Sequence, residues 1–491
     1  MTKSVSNGTF YISIAKFFMS RFYRNIAISQ KIYIEMNLKE VKKFIVVAIS
    51  ILLLLPSSLQ SKNFGEETKL PSKQDIIGFL NAIQQKSKKF FSGKGNIAQD
   101  LVLFSGDMKN ASLLDALEKF YEINGINYDA SSIQSFLNES NMPEDVQNSI
   151  ALLLYTYINA SMNPNKVEAA FLIAYAIRET GYYLNRFMLN ETIFGPYGKI
   201  AFGGKHDDSY SNYSFVIDFD GNDEYQKCLF IVDLKGDDKY IEMVAINETC
   251  ITIDEDGNDA YTNACYSING SYYLFDLDGN DVYAQKICSS YEDGYSFLFD
   301  FNGNDVYRGM NETQAFSRDS ISILIDFNGD DRYYGNDYCQ ASSVGGDAVL
   351  VDFAGSDMFI AASRSQAYAT GEGIQSVKGF AILINFAGSD MYVAVNYSQG
   401  YASSFGFALL LDFLGDDSYS SRTFSQASST AMGAAAFIDG DGLNKFRHGS
   451  FCQGYMLGGL SLFMNNFEMN GNEKLLEMIN KLDFNFGNLF G

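Results

Sequence analysis

Seventeen aspartates occupy two fixed places in a unit that recurs along the chain, Asp-x-x-Gly-x-Asp-x-Tyr. The first place holds Asp218, Asp233, Asp254, Asp276, Asp300, Asp326, Asp352 and Asp412. The second holds Asp223, Asp238, Asp259, Asp281, Asp305, Asp331, Asp357, Asp390 and Asp417. Two carboxylates five residues apart on a Gly-containing bend offer hard oxygen donors of the kind calcium selects. The same pattern also suits a β-turn with Asp first and Gly fourth, in which the Asp side chain bonds its own backbone two residues on. Both readings stay open at this level. If the units stack about 4.8 Å apart, each like-charged step costs about 1 kcal/mol at a water-like dielectric and about 3.5 kcal/mol at an effective value of 20. No Lys or Arg recurs at a matching slot. Bound cations would relieve the repulsion, and on the calcium reading all seventeen aspartates are candidate ligands beside their role as turn formers.

Other chemistry is sparse. The chain has two histidines, His206 and His448, one in a degenerate copy and one after the last copy of the unit. They are expected at the surface rather than in catalysis. None of the six cysteines (Cys228, Cys250, Cys265, Cys288, Cys339 and Cys452) forms a Cys-x-x-Cys pair, which argues against structural zinc. Cys228 with Cys250, and Cys265 with Cys288, fall about one unit apart and would reach disulfide range if their side chains faced each other. Nucleophile elbow, phosphate loop and metalloprotease helix are missing. A carbohydrate-active enzyme on a β-helix is the rival class. It needs two carboxylates at one defined separation, and the place to seek them is the longest unit, which carries Gly371-Glu372-Gly373.

The elements that must position the aspartates are short strands. Each unit is an apolar run, the Asp-Gly-Asp bend and an aromatic residue, as in FLFDFNGNDVY and ILIDFNGDDRY. The unit glycines run from Gly221 to Gly442; after a first gap of 15, the spacings are 21, 22, 24, 26, 26, 33, 27 and 27 residues. A second mark begins ten residues after each later glycine and centres on Gln314, Gln340, Gln366, Gln399, Gln426 and Gln453. Two phased marks in one period, shorter than a propeller blade needs, predict a β-solenoid of about ten repeats. Stacked coils align like residues, so a Tyr column in offset stacking and a Gln column bonded amide to amide are expected. Strand alternation, with the residues flanking the first Asp directed inward, places Leu274, Leu298, Leu324, Leu350, Leu383 and Leu410 on the outward face beside Asp. There they form an apolar stripe for the helical segment or a second copy to cover.

The half-motif Gly-Asn-Asp-x-Tyr resembles the Gly-x-Asp-x-apolar half of the calcium-binding nonapeptide repeats of secreted RTX proteins, without their nine-residue period or leading Gly-Gly-x. Residues 190–455 more closely resemble secreted proteins with tandem Gly-Asp-Asp-x-Tyr repeats and a Gln-Gly or Gln-Ala mark behind a helical N-terminal region. That resemblance implies the architecture and assigns no activity.

Elsewhere the chain reads as supports. Residues 1–61 hold a leader: Lys42 and Lys43, the apolar run Phe44 to Leu55, then PSSLQS, which fits a signal peptide if translation starts at Met36, or else an uncleaved membrane anchor. Residues 65–195 are expected to be a helical bundle, 200–455 the solenoid, and 456–491 a cap with a short amphipathic helix at Glu473 to Leu482. The fold class is therefore α+β by domain. A net charge of −23 argues against nucleic acid and anionic membranes, leaving the leader as the membrane contact. Asn-x-Ser/Thr sites at Asn110, Asn138, Asn159, Asn190, Asn212, Asn247, Asn269, Asn311 and Asn396 agree with a glycoprotein. The expectation is a secreted or cell-surface structural or adhesive protein that meets a surface glycan or protein and self-associates through the apolar stripe.

Overall fold

The computed structural model describes residues 112–371 and 379–465. The leader, the part of the expected bundle from 65 to 111, the Glu372-Gly373 pair and the expected Glu473 to Leu482 cap helix lie outside the described residues.

Four helices come first: α1 (Leu113–Ile123), α2 (Ala130–Ser140), α3 (Glu144–Met162) and α4 (Lys166–Leu184). Ser112, Asp129 and Asn165 cap three of them by accepting a backbone N–H from the first turn. Pro143 stands at the cap of α3 rather than inside its first turn, and Glu144 and Asp145 follow at the positive end of the dipole. The helices dock on the first coils of the β-region through aromatic contacts. Phe120 meets Phe215 at 6.1 Å, Tyr157 stacks on Phe230 at 5.4 Å, and Phe136 meets Phe202 at 4.6 Å. The Tyr157 hydroxyl donates to the Thr249 carbonyl, and Tyr273 donates to that of Lys166.

From Ile200 onward the chain is a three-sided parallel β-solenoid, with sheets of 13, 11 and 9 strands. The first sheet carries the apolar run and the first Asp, the second the Tyr, and the third the segment after the Gln mark. A short strand, Ile193–Phe194, runs antiparallel to Ile200–Phe202 and closes the N-terminal edge of the first sheet. Register is strict: Leu298 pairs with Leu324, Asp300 with Asp326, and Tyr307 with Tyr333. The third sheet begins only at Val244–Ile246. This explains the 15-residue first spacing, because the earliest coils have two sides and need no third strand.

Glycine is required on the bend by close approach. A Cβ on Gly329 would lie 1.7 Å from the carbonyl oxygen of Gly303. The second sheet's aromatics stack through the rod: Tyr283–Tyr307 centroids are 4.7 Å apart, Tyr307–Tyr333 and Tyr333–Phe359 both 4.5 Å. The expected Gln ladder takes a different form. Gln314 Nε2 donates to the carbonyls of Tyr307 and Tyr334, and Gln340, Gln366 and Gln399 likewise bridge two coils through backbone. Only Gln426 donates to another amide, that of Gln399. Gln314 and Ala315 both adopt left-handed backbone, and this turns the chain from the second sheet to the third. The carbonyls of the second sheet's strands take the amide N–H, and Oε1 of Gln314, Gln340, Gln366 and Gln426 is left without a partner.

The facing of the first sheet is the reverse of the expectation. Leu274, Leu298, Leu324, Leu350, Leu383 and Leu410 lie in the interior core with the Tyr column. Their Asp neighbours, of the same parity, point inward too. A stripe in the core offers nothing to a second copy. The outward positions Phe275, Phe299, Ile325, Val351 and Ile384 are also apolar and buried. With both faces of the strand apolar, alternation alone did not reveal which faced in. At the far end Met456, Leu457 and Leu462 of the last coil are exposed.

Candidate metal centre

The Asp-x-x-Gly-x-Asp bend joins the first sheet to the second, and both of its aspartates turn into the rod. All seventeen are at most 2% exposed. They form two adjacent columns. The structure adds Asp208 to the second and Asp439 to the first, and puts Asn385 and Asn444 in two slots. Asp208 and Asp439 belong to degenerate copies, GGKHDDSY and AFIDGDGLNKF, in which the phase of the motif could have revealed them.

Each first-column aspartate meets a tyrosine. Tyr307 donates to Oδ2 of Asp300 at 3.0 Å and of Asp326 at 2.7 Å; Tyr283 bridges Asp276 and Asp300 in the same way, and Tyr333 bridges Asp326 and Asp352. The other oxygen can do what the turn reading expected. Oδ1 of Asp233 accepts from the Lys235 N–H at 3.0 Å, and Oδ1 of Asp326 from that of Asn328 at 3.2 Å. Replacing Tyr307 with Phe removes a donor shared by two buried carboxyls. Chemical denaturation is expected to show a loss of about 1–3 kcal/mol; no loss would mean that the hydroxyl is incidental.

Each second-column aspartate is held by the neighbouring coil. Oδ1 of Asp305 accepts the Asp281 N–H at 2.6 Å, Oδ1 of Asp331 that of Asp305 at 2.6 Å, and Oδ1 of Asp357 that of Asp331 at 2.8 Å. The second oxygen has no hydrogen-bond partner at Asp223, Asp238, Asp259, Asp281, Asp305, Asp331, Asp357 and Asp417.

The two columns converge between coils. One oxygen each from Asp223, Asp233 and Asp238 lie within 4.8 Å of one another. So do those of Asp208, Asp218 and Asp223; of Asp238, Asp254 and Asp259; of Asp259, Asp276 and Asp281; and of Asp281, Asp300 and Asp305. Every such group takes both aspartates of one coil and the second aspartate of the coil before.

Burial raises these carboxyls above the ordinary range, and neighbouring aspartates push the same way. Asp300 is raised to about 8, by burial first and then by Asp326. Asp326 also reaches about 8, Asp352 about 7 and Asp223 about 9. No counter-charge offsets the burial: none of the ion pairs among the described residues reaches either column. Holding a carboxyl with an ordinary pKa near 4 protonated at pH 7 costs about 4 kcal/mol. The columns are therefore a place where positive charge is strongly favoured.

The remaining candidates are bland. All six cysteines are free, and Cys228, Cys250, Cys265, Cys288 and Cys339 are buried small apolar residues, so the disulfides the spacing allowed are not formed. The imidazoles of His206 and His448 sit at the surface. Compared with protein-family models, curated proteins and solved structures, the chain matches none.

Proposed function

We propose that this protein is a secreted or surface-displayed rod with a structural or adhesive role, stabilised by calcium. The observation that supports this reading is the regularity of the stack. From Phe215 to Phe446 the first and second sheets stack in register, and the repeated slots are filled by Asp or Asn, by Gly, and by Tyr or Phe coil after coil. A catalytic site on a solenoid needs one coil that differs, with two carboxylates set apart from the rest. Among the described residues the two column aspartates of each coil are interior, repeated and tied to the same partners. What the rod presents outward is its turns and edges, which suit contact with a surface glycan or protein. The exposed acceptor sites Asn212, Asn247, Asn269 and Asn311 agree with an extracellular life.

Amine labelling of intact source cells and their medium with a membrane-impermeant reagent tests the compartment. Exposed Lys227 and Lys239 are expected to be modified without lysis. Protein that becomes reactive only after lysis would sink the extracellular reading.

A further inference from the structure

The two columns are not uniform, and their one interior exception points to what the other coils hold. In eight second-column aspartates, all at most 2% exposed, Oδ2 has no partner. At Asp390 it does. There the first-column residue of the same coil is Asn385, and its Nδ2 donates to Asp390 Oδ2 at 2.9 Å. The last coil pairs an amide with a carboxylate again, Asn444 with Asp439. At Asn385 the N–H supplies positive charge to the oxygen that the other second-column aspartates leave bare, whereas Asn444, itself in the second column, donates to Oδ1 of the first-column Asp439. At Asp223, Asp238, Asp259, Asp281 and Asp305 the unpartnered oxygen belongs to a residue grouped with two further carboxylates instead.

We propose that each three-carboxylate step between coils holds one hard divalent cation, calcium before magnesium, and that Asn385 is a built-in substitute that interrupts the row. The charges support this count. A coil brings two carboxylates, and one divalent ion per coil neutralises them, whereas a monovalent ion would leave half the charge. The donors are all oxygen, which selects calcium or magnesium over softer metals. The ions lie inside the rod, shared between successive coils, and not on the exposed bends. This deepens the calcium-stabilised reading above and rests on it.

The test measures calcium bound to the full-length protein after refolding with calcium and exhaustive dialysis at pH 7.5, by elemental analysis, for wild type, Asn385→Asp and Asp326→Asn. Asn385→Asp restores the missing carboxylate and is expected to gain one calcium per chain. Asp326→Asn copies the natural exception and is expected to lose one while keeping its circular dichroism spectrum. If wild type binds calcium but neither variant changes the count, the ions sit elsewhere; the interior row is overturned and the calcium-stabilised rod survives. If wild type binds none, both fall. Should Asn385→Asp not fold, the Asp326→Asn count alone decides: an unchanged number overturns the proposal.

Discussion

Refolded at pH 7.5 in excess chelator, the full chain is expected to melt roughly 20 °C or more below the same protein refolded in millimolar calcium. Each ion at a hundred times its dissociation constant adds about 2.7 kcal/mol by linkage. Five three-carboxylate groups lie between Asp208 and Asp305, and 3 more groups of potential ligands are present among the described residues. Even partial loading of several sites sums to more than 10 kcal/mol, and each kcal/mol moves the midpoint by about 2–4 °C in a domain of this size. The pH dependence in chelator has a definite sign. Asp300 and Asp326 at about 8 and Asp352 at about 7 lie above the ordinary carboxyl value, so the folded state holds protons that the unfolded chain releases. The contribution is complete below about pH 4 and is lost as pH rises toward 8, at up to about 1.4 kcal/mol per carboxyl per pH unit. Metal-free protein should therefore melt higher at pH 5 than at pH 8, and calcium should abolish that order. A midpoint that ignores calcium at pH 7.5 would remove the cations and leave the solenoid standing.

Gly329→Ala is expected to cost at least about 3 kcal/mol, near the top of the range for forced overpacking. The new methyl would meet the Gly303 carbonyl oxygen at 1.7 Å and Asp331 Oδ1 at 2.7 Å. Neither neighbour can withdraw: the carbonyl belongs to a coil held in register by three sheets, and Oδ1 is engaged by the Asp305 N–H. Gly125→Ala provides the control. Its backbone is left-handed at φ 64° but nothing stands within 4 Å, so only a conformational cost of about 1 kcal/mol applies. Equal losses for the two variants in chemical denaturation would show that the coils can part easily at the bend.

The repeat made much of the fold legible before any coordinates. Gly, Asp and Tyr recur in phase, and stacking in register is the arrangement that satisfies every copy at once. The Gln mark was legible as a column but not as a corner, because its left-handed backbone depends on where the second sheet ends. Asp208 and Asp439 lay within degenerate copies, and nothing in the spacing reveals that the amide of Asn385 meets Asp390.

Sequence alone determined the period, the register and the two acid places, since each follows from spacing along one chain. Only the tertiary structure decided that the aspartates and Leu274, Leu298 and Leu324 face inward. The strands of the first sheet are apolar on both faces, so the choice depends on partners brought from other coils. Those partners are the tyrosine hydroxyls that donate to one Asp column and the backbone N–H of the neighbouring coil that donates to the other. Their convergence leaves a carboxylate oxygen bare in the core at eight second-column aspartates, and that is a property of the stack which no single repeat possesses.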